Sequence, residues 1–267
     1  MENFLLVVPT FNCEKQISRV VEQFALCGAS VFKEMIIIDN RSEDGTIEVS
    51  KAAIERLAQS KISIYLNDKN FGLGGSHKVA FNYCLSMGYD GIVILHGDDQ
   101  GRLMDIIPYI LDPSFPDDQC LLGARFMSNS KVSGYKKIRT IGNIIFNILY
   151  TMVTRSKVYD MGSGLNFFSS KVISSFDYKK MPDDLTFNNA FLLALLANRQ
   201  KINFFPISWR EEDQVSNAKL WSQSLRLLKY LTLYLRNPSL LMSTDFSNPS
   251  NKFYSSSRVP MLGEICK

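Results

Sequence analysis

Residues 92–100 read Ile-Val-Ile-Leu-His96-Gly97-Asp98-Asp99-Gln100, an apolar run that ends in an imidazole, a glycine, two adjacent carboxylates and a carboxamide. Polar groups gathered where a buried strand ends are costly to leave without partners, and a divalent cation satisfies several of them at once. Asp98 is the leading candidate ligand, Gln100 and His96 stand beside it, and Asp99 is either a second ligand or a solvated neighbour. A cation here implies an anionic ligand. A polar turn that merely follows a strand is the plainer alternative.

Three further loops have the same placement. Pro9-Thr10-Phe11-Asn12 ends an apolar run with a proline and offers the flat ring of Phe11, on which a base can stack; an aromatic residue packed at a turn would look the same. Asp39-Asn40-Arg41-Ser42-Glu43-Asp44-Gly45-Thr46 sets a carboxylate directly after the next run. Helix capping accounts for Ser42 or Asp44 but not for Asp39, whose carboxylate can accept the imide hydrogen of a uracil-like base. Lys69-Asn70-Phe71-Gly72-Leu73-Gly74-Gly75 supplies glycines where a backbone must come close to a ligand, and it opens a helix whose N-terminus favours phosphate. Its Gly-x-Gly-Gly spacing, after the third run and not the first, departs from the dinucleotide fingerprint and argues against a nicotinamide or flavin enzyme.

The elements that must position these loops alternate. Apolar runs at Phe4–Val8, Met35–Ile38, Ile62–Leu66 and Ile92–Leu95 predict buried strands, each followed by a helix: Cys13–Leu26, Asp44–Ala58, Gly75–Met87 and Arg102–Leu111. That rhythm predicts a parallel, doubly wound α/β sheet, with ligand loops collected at the carboxyl ends of its strands. Pro113 and Pro116 break it; Cys120–Gly123 and Leu165–Phe168 predict further strands, Ile138–Val153 and Phe187–Ala197 helices, and Ile202–Ile207 the last strand. The closing segment, rich in Ser, Asn and Pro, predicts a mobile or partner-dependent tail.

Composition narrows the class. The 267 residues suffice for one large α/β domain with an appendage, and 30 basic against 26 acidic residues is too mild a bias for a nucleic-acid stripe. Five scattered cysteines without a Cys-x-x-Cys pair argue against a disulfide frame or zinc site and fit a reducing compartment. The N-terminus reads as a strand, not a signal peptide, and no stretch approaches the roughly 18 apolar residues of a membrane span.

Taken in order, Pro-Thr-Phe-Asn, Asp-Asn-x-Ser-x-Asp-Gly-Thr, Asn-x-Gly-x-Gly-Gly and Asp98-x-Gln100 resemble glycosyltransferase family 2, inverting enzymes of the GT-A fold. Within it the chain is similar to the dolichyl-phosphate mannose synthase and polyprenyl-phosphate sugar transferase branch, through Gly123-Ala124-Arg125-Phe126, the Lys136, Arg139, Gly142, Asn143 series, Asp160 to Gly164, and Pro206 to Arg210. The resemblance implies a Rossmann-like nucleotide-diphospho-sugar transferase fold, a mostly parallel central sheet flanked by helices, over residues 1–215. A basic amphipathic helix at 216–242 and a polar tail at 243–267 would follow. It implies a nucleotide-sugar donor, with UDP favoured over GDP, held by Pro9, Phe11, Asn12, Glu14, Asp39, Asn40, Asn70, Gly72, Gly74, Gly75, Lys78 and Gly97. Mg2+ or Mn2+ would sit on Asp98, Gln100 and His96. Where the family has Asp-x-Asp this chain has His96-Gly97-Asp98, so the imidazole ligates, hydrogen-bonds or only fills the place, and a nitrogen ligand suits Mn2+ better.

The resemblance implies a polyprenyl phosphate or a glycan hydroxyl as acceptor. It places Arg125, Arg139 and Arg210 around an acceptor phosphate or the donor's pyrophosphate, forming a catalytic set with Asp98; guanidinium groups bind phosphate oxygens in pairs. A hydroxyl acceptor needs a general base, for which Asp184 or Asp183 is placed; both are equally explained as a helix N-terminus. Ile141–Val153 is apolar on nearly every face, with burial favoured over lipid contact. From Ser216 to Arg236 a basic quarter of the helical wheel (Lys219, Arg226, Lys229, Arg236) opposes Trp221, Leu225, Leu228, Leu231 and Leu235, a helix that either lies in the headgroup region of a membrane or packs on the sheet. The expected location is the cytoplasm, free or peripheral on a membrane. Two other activities share these residues: a GT-A protein that has lost turnover, suggested by the missing first aspartate, and a sugar-phosphate nucleotidyltransferase, which would need a basic glycine-rich loop after the first strand.

Overall fold

The computed structural model describes residues 3–112, 114, 119–213 and 220–261. Pro113, Pro116, Cys266 and the first part of the basic helix, Ser216 to Lys219, lie outside them. The strands are β1 (Phe4–Thr10), β2 (Glu34–Asp39), β3 (Ile62–Asn67), β4 (Gly91–Leu95), β5 (Gln119–Ala124), β6 (Lys131–Ser133), β7 (Leu165–Ser169), β8 (Lys201–Pro206), β9 (Ser208–Arg210) and β10 (Ser256–Arg258). The helices are α1 (Ile17–Gln23), α2 (Thr46–Arg56), α3 (Gly72–Ser86), α4 (Ile107–Ile110), α5 (Lys137–Thr154), α6 (Ser170–Ser174), α7 (Phe187–Ala197), α8 (Leu220–Arg236) and α9 (Pro238–Ser243).

Eight strands form one sheet in the order β10-β3-β2-β1-β4-β7-β5-β8, with β7 and β10 antiparallel to the rest. β1 is buried along its whole length because helices cover both faces. Its side chains alternate between two cores: Leu5 and Val7 face α3 and α7, while Leu6 and Val8 face α1 and α2. The result is a three-layer α/β structure of the expected class.

Several boundaries differ from expectation for local reasons. α1 starts only at Ile17, because Cys13 O first closes a turn onto the N–H groups of Gln16 and Ile17, and it widens into a π turn at Phe24–Gly28. The helix expected at Arg102–Leu111 is split into a 3-10 turn, Leu103–Asp105, and a single turn with Pro108 near its start. Ile207 does not end the last strand: β9 pairs with β6, and β10 closes the sheet beside β3. The part of the expected mobile tail that the structure describes, up to Met261, is thereby built into the domain, with Tyr254 buried among α3 and α7 residues.

Both membrane-related helices depart from expectation too. α5 buries only Asn147 and Tyr150 within the domain, and Ile138, Ile141, Ile144, Ile145, Ile148 and Met152 are each 41–70% exposed. α8 packs on α5, α7 and α9 through Leu227, Tyr230 and Leu231, so Leu225, Leu228 and Leu235 of the predicted apolar face point outward. The side chain of Trp221 lies outside the description. No helix among the described residues is long and apolar enough to cross a membrane.

Candidate active site

The loops after β1, β2, β3 and β4 open onto one cleft of about 1280 Å³ at the carboxyl edge of the sheet. It is lined by Pro9, Phe11, Asn12, Glu14, Asn40, Asn70 and Gly72, by His96, Gly97, Asp98 and Gln100, and by Arg125, Arg139 and Asp184, with Gly72 lying against Asp183 and Asp184. Gly97 is required where it is. A Cβ there would lie 2.4 Å from Thr10 Cγ2, and its N–H donates to Pro9 O at 3.0 Å, so only glycine lets the end of β4 lie against the end of β1.

The donor-side loops lock into each other. Asn12, at φ 54°, accepts from the Glu43 N–H at 2.9 Å and its own N–H donates to Ser42 Oγ at 2.9 Å, while the Cys13 N–H reaches Thr46 Oγ1 at 2.8 Å. Asn40 joins the second and third loops: its Oδ1 accepts from Asn67 Nδ2 and the Phe71 N–H, both at 2.9 Å, and its Nδ2 donates to Asn70 Oδ1 at 2.8 Å. This network leaves the Phe11 ring 36% exposed at the cleft, open to a stacking partner.

Asp98 sits half-buried on the cleft floor, and its Oδ1 accepts from the Gln100 N–H at 3.2 Å. Burial lifts its pKa to about 6, Glu211 adds to the rise, and the Gln100 N–H and Arg125 oppose it. His96 is held neutral, its pKa lowered to about 4 by burial and then by Arg125. Its Nε2 is sealed from solvent without a partner, and the ring meets His77 edge-on at 5.6 Å. The imidazole therefore fills the position of the missing acid without turning Nε2 into the cleft. Asp99 is neither ligand nor solvated: it adopts φ 57° and buries its carboxylate against Arg19 Nε at 2.5 Å, Gln23 Nε2 at 2.7 Å and the Arg210 guanidinium. Among the described residues no three His, Cys, Asp or Glu side chains form a ready-made metal cage. One cleft carboxylate with a neighbouring amide nevertheless fits Mg2+ or Mn2+, which bind through one or two carboxylates and complete their shell with water and substrate phosphate.

Arg125 is clamped by Asp160, Nε to Oδ2 at 2.7 Å and Nη2 to Oδ1 at 2.8 Å, and its guanidinium lies 5.1 Å from the Trp209 ring centre and 5.4 Å from that of Tyr135. Burial works against its charge, but the Asp160 pair outweighs it and raises the pKa, so the cation is permanent. Arg139 stacks on Tyr135 at 4.7 Å and pairs with Glu211. Asp184 Oδ1 accepts from the Thr186 N–H at 2.8 Å and from its hydroxyl at 2.6 Å, and the other carboxylate oxygen pairs with Arg226.

Five expected site residues do not line the cleft. Asp39 is fully buried, its carboxylate accepting from Ser42 N–H (2.9 Å), Ser42 Oγ (2.6 Å) and Thr10 Oγ1 (3.3 Å), so it shapes the loop. Gly74 and Gly75 donate to Asp183 O at 2.8 and 3.2 Å, and a Cβ on Gly74 would strike Pro182 O. Their role here is close packing of α3 against the turn before α7. Lys78 is buried, its Nζ donating to Met181 O (2.6 Å), Asp183 Oδ1 (2.5 Å) and Tyr254 OH (3.0 Å). Arg210 is tied to Asp99, with Nε on Asp99 O at 3.0 Å. Conversely, Glu211, Tyr135 and Trp209 line the cleft unforeseen. Their only signal was adjacency to Arg210 and Lys136.

Residues 5–176 match the sequence model of a family described as Glycosyl transferase family 2. Solved structures similar to this chain include glucosyl-3-phosphoglycerate synthase from Mycobacterium tuberculosis in complex with UDP, at 13% identity over 97% of this chain and 88% of that one, TM-score 0.61. The same synthase with Mn2+, UDP and phosphoglyceric acid matches at 14% identity, 97% and 87% coverage and TM-score 0.62. Its complex with Mn2+, UDP-glucose and glycerol 3-phosphate matches at 13% identity, 97% and 87% coverage and TM-score 0.61. At these identities the match is one of fold.

Proposed function

The chain belongs to glycosyl transferase family 2, and on that footing we propose that it transfers a sugar from a UDP-sugar to a polyprenyl phosphate at a membrane surface, in the manner of the dolichyl-phosphate mannose synthase branch. The carrying observation is the composition of the cleft: the guanidinium groups of Arg125 and Arg139 line it together with apolar Ile138, Ile141 and Ile145. An anionic head with an apolar tail would meet complementary groups there.

The donor's base stacks on Phe11 beside Asn12 and Asn40, and its diphosphate runs toward Asp98. A bound Mg2+ or Mn2+, held by Asp98 with Gln100 nearby, would supply Lewis-acid neutralisation of the leaving diphosphate. The structurally similar synthase has been crystallised with UDP or UDP-glucose and Mn2+, which supports this assignment of donor and metal. Arg139 and Arg125 orient the acceptor phosphate for a single displacement that inverts the anomeric carbon. A phosphate monoester is already largely ionised near pH 7. No general base is then needed, in keeping with Asp184, whose carboxylate is engaged by Thr186 and Arg226. A glycan hydroxyl is the second reading, since Asp184 does face the cleft and would serve if Arg226 released it.

Exposed Ile138, Ile141, Ile145, Ile148 and Met152 on α5, next to Lys136 and Lys137, continue from the cleft mouth onto the outer surface. Such a face lies well in a bilayer interface. The test is transfer from a panel of UDP-sugars to undecaprenyl phosphate with Mn2+. Wild-type protein should form a lipid-linked sugar, and Asp98→Ala should be slower by about 10²-fold or more, the loss of several kcal/mol of charge neutralisation. Equal rates in both, or turnover only with glycan acceptors, would overturn the assignment.

A further inference from the structure

Glu211 has no role in the reaction as derived above, yet the chain holds it in place from three sides. Its N–H donates to Ser133 O at 3.0 Å, and its own carbonyl lies where a Cβ on Gly134 (φ 74°) would come within 2.0 Å, so that glycine admits it. The preceding residue bolts it to the turn that carries Asp98: the Arg210 N–H donates to Gln100 O at 3.0 Å, while the Gln100 N–H donates to Asp98 Oδ1. Its carboxylate, 13% exposed in the cleft wall, pairs with Arg139. One acid thus pairs with the guanidinium of Arg139, lines the same cleft as Asp98 and is tied through Arg210 to the turn that carries it. Its charge is felt on both sides, raising the proton affinity of Asp98 and that of Arg125.

We propose that Glu211 is a positioning residue that couples the two halves of the site, competing with the acceptor phosphate for Arg139 until positive charge arrives beside Asp98. The inference rests on the donor and acceptor placement given under the proposed function. With the cleft empty, Glu211 neutralises Arg139 and an incoming phosphate must displace it. When a divalent cation occupies the Asp98 side, the carboxylate has a second positive neighbour, its hold on Arg139 weakens, and the phosphate binds more tightly. By linkage the phosphate strengthens cation binding by the same factor. Loading of the cation then precedes that of the acceptor, and the acceptor arginine stays masked until the metal is in place.

The experiment measures geranyl phosphate affinity by calorimetry with and without saturating Mn2+, in wild-type protein and in Glu211→Gln, with UDP binding to wild type measured separately. Wild type should bind the phosphate about 5-fold or more tightly when Mn2+ is present, the lower end of ordinary coupling. Glu211→Gln should bind it more tightly than wild type without Mn2+ and with no further gain when Mn2+ is added. Glu211→Asp should retain part of the coupling. Loss of a purely structural group would weaken binding and would not tighten it. An unchanged coupling factor in Glu211→Gln, or weaker phosphate binding without Mn2+, overturns the inference while leaving the function intact. Absence of any UDP binding by wild type overturns both.

Discussion

Lys78 separates two accounts of the glycine-rich loop. By sequence position it is a cation one helical turn inside a phosphate-favouring helix; in the structure its Nζ is enclosed by Met181 O, Asp183 Oδ1 and Tyr254 OH at 2.5–3.0 Å and lies 4.6 Å from the Tyr254 ring centre. Lys78→Met keeps the length and apolar stem but removes the charge. Asp183 keeps Asn248 N–H, Asn251 Nδ2 and Tyr254 OH as donors at 2.8–2.9 Å, yet its charge is left buried without a counter-ion. Removing one partner of a buried pair costs about 3–5 kcal/mol. For a chain of this size each kcal/mol moves Tm by roughly 2–4 °C, so thermal unfolding should fall by about 6–20 °C. UDP affinity, measured well below the lowered Tm, should change by less than about tenfold, or 1.4 kcal/mol, because Nζ does not reach the cleft. An unchanged Tm together with a tenfold or greater loss of UDP affinity would refute the structural account and return Lys78 to the donor.

Asp98 gives a pH signature of unusual sign: its folded pKa near 6 exceeds the ordinary carboxylate value, so the folded state holds the extra proton between about pH 4 and 6 and stability falls as pH rises through that window. Comparing Tm against pH for wild type and Asp98→Asn without metal should show this slope only in wild type, whereas affinity for Mn2+ with UDP should rise over the same range as the ionised form appears. Gly97→Ala should cost about 1–3 kcal/mol by driving a methyl into Thr10 Cγ2, and Thr10→Ser should recover part of that in chemical denaturation; no recovery would place the strain elsewhere. Ile141→Glu with Ile145→Glu should abolish co-sedimentation with anionic vesicles at unchanged Tm, since both side chains are more than half exposed; continued sedimentation would remove α5 from the membrane contact.

What the sequence revealed was local and periodic. β1, β2 and β4 are buried on both faces and so appear as nearly uninterrupted apolar runs, and the turns after the first four strands gather at one rim because parallel strands share a direction. Composition could not show which members of those turns face the cleft. Asp39 and Asp98 look equivalent as acids at strand ends, yet one is consumed by Ser42, three residues on, and the other lies on the floor. Lys78, Arg210 and Asp99 carry charges whose partners are 105, 111 and 80 residues distant, and no spacing rule links such pairs. The same distance hid Glu211. Helix α8 misled differently: of its repeating leucines only Leu231 is buried, together with Leu227 and Tyr230 on the adjoining face, while Leu225, Leu228 and Leu235 stay exposed.

The late-arriving segment at 245–258 has a consequence for how the molecule is made. Asp183 receives two of its donors from Asn248 and Asn251, and the 65 residues between Asp183 and Asn248 take about 3–13 s to synthesise at roughly 5–20 residues per second. Over a longer interval, from the synthesis of β3 until β10 emerges, the outer side of β3 is an open template of unpaired amides. Stalled translation before β10 would leave that edge free for cross-pairing between neighbouring nascent chains.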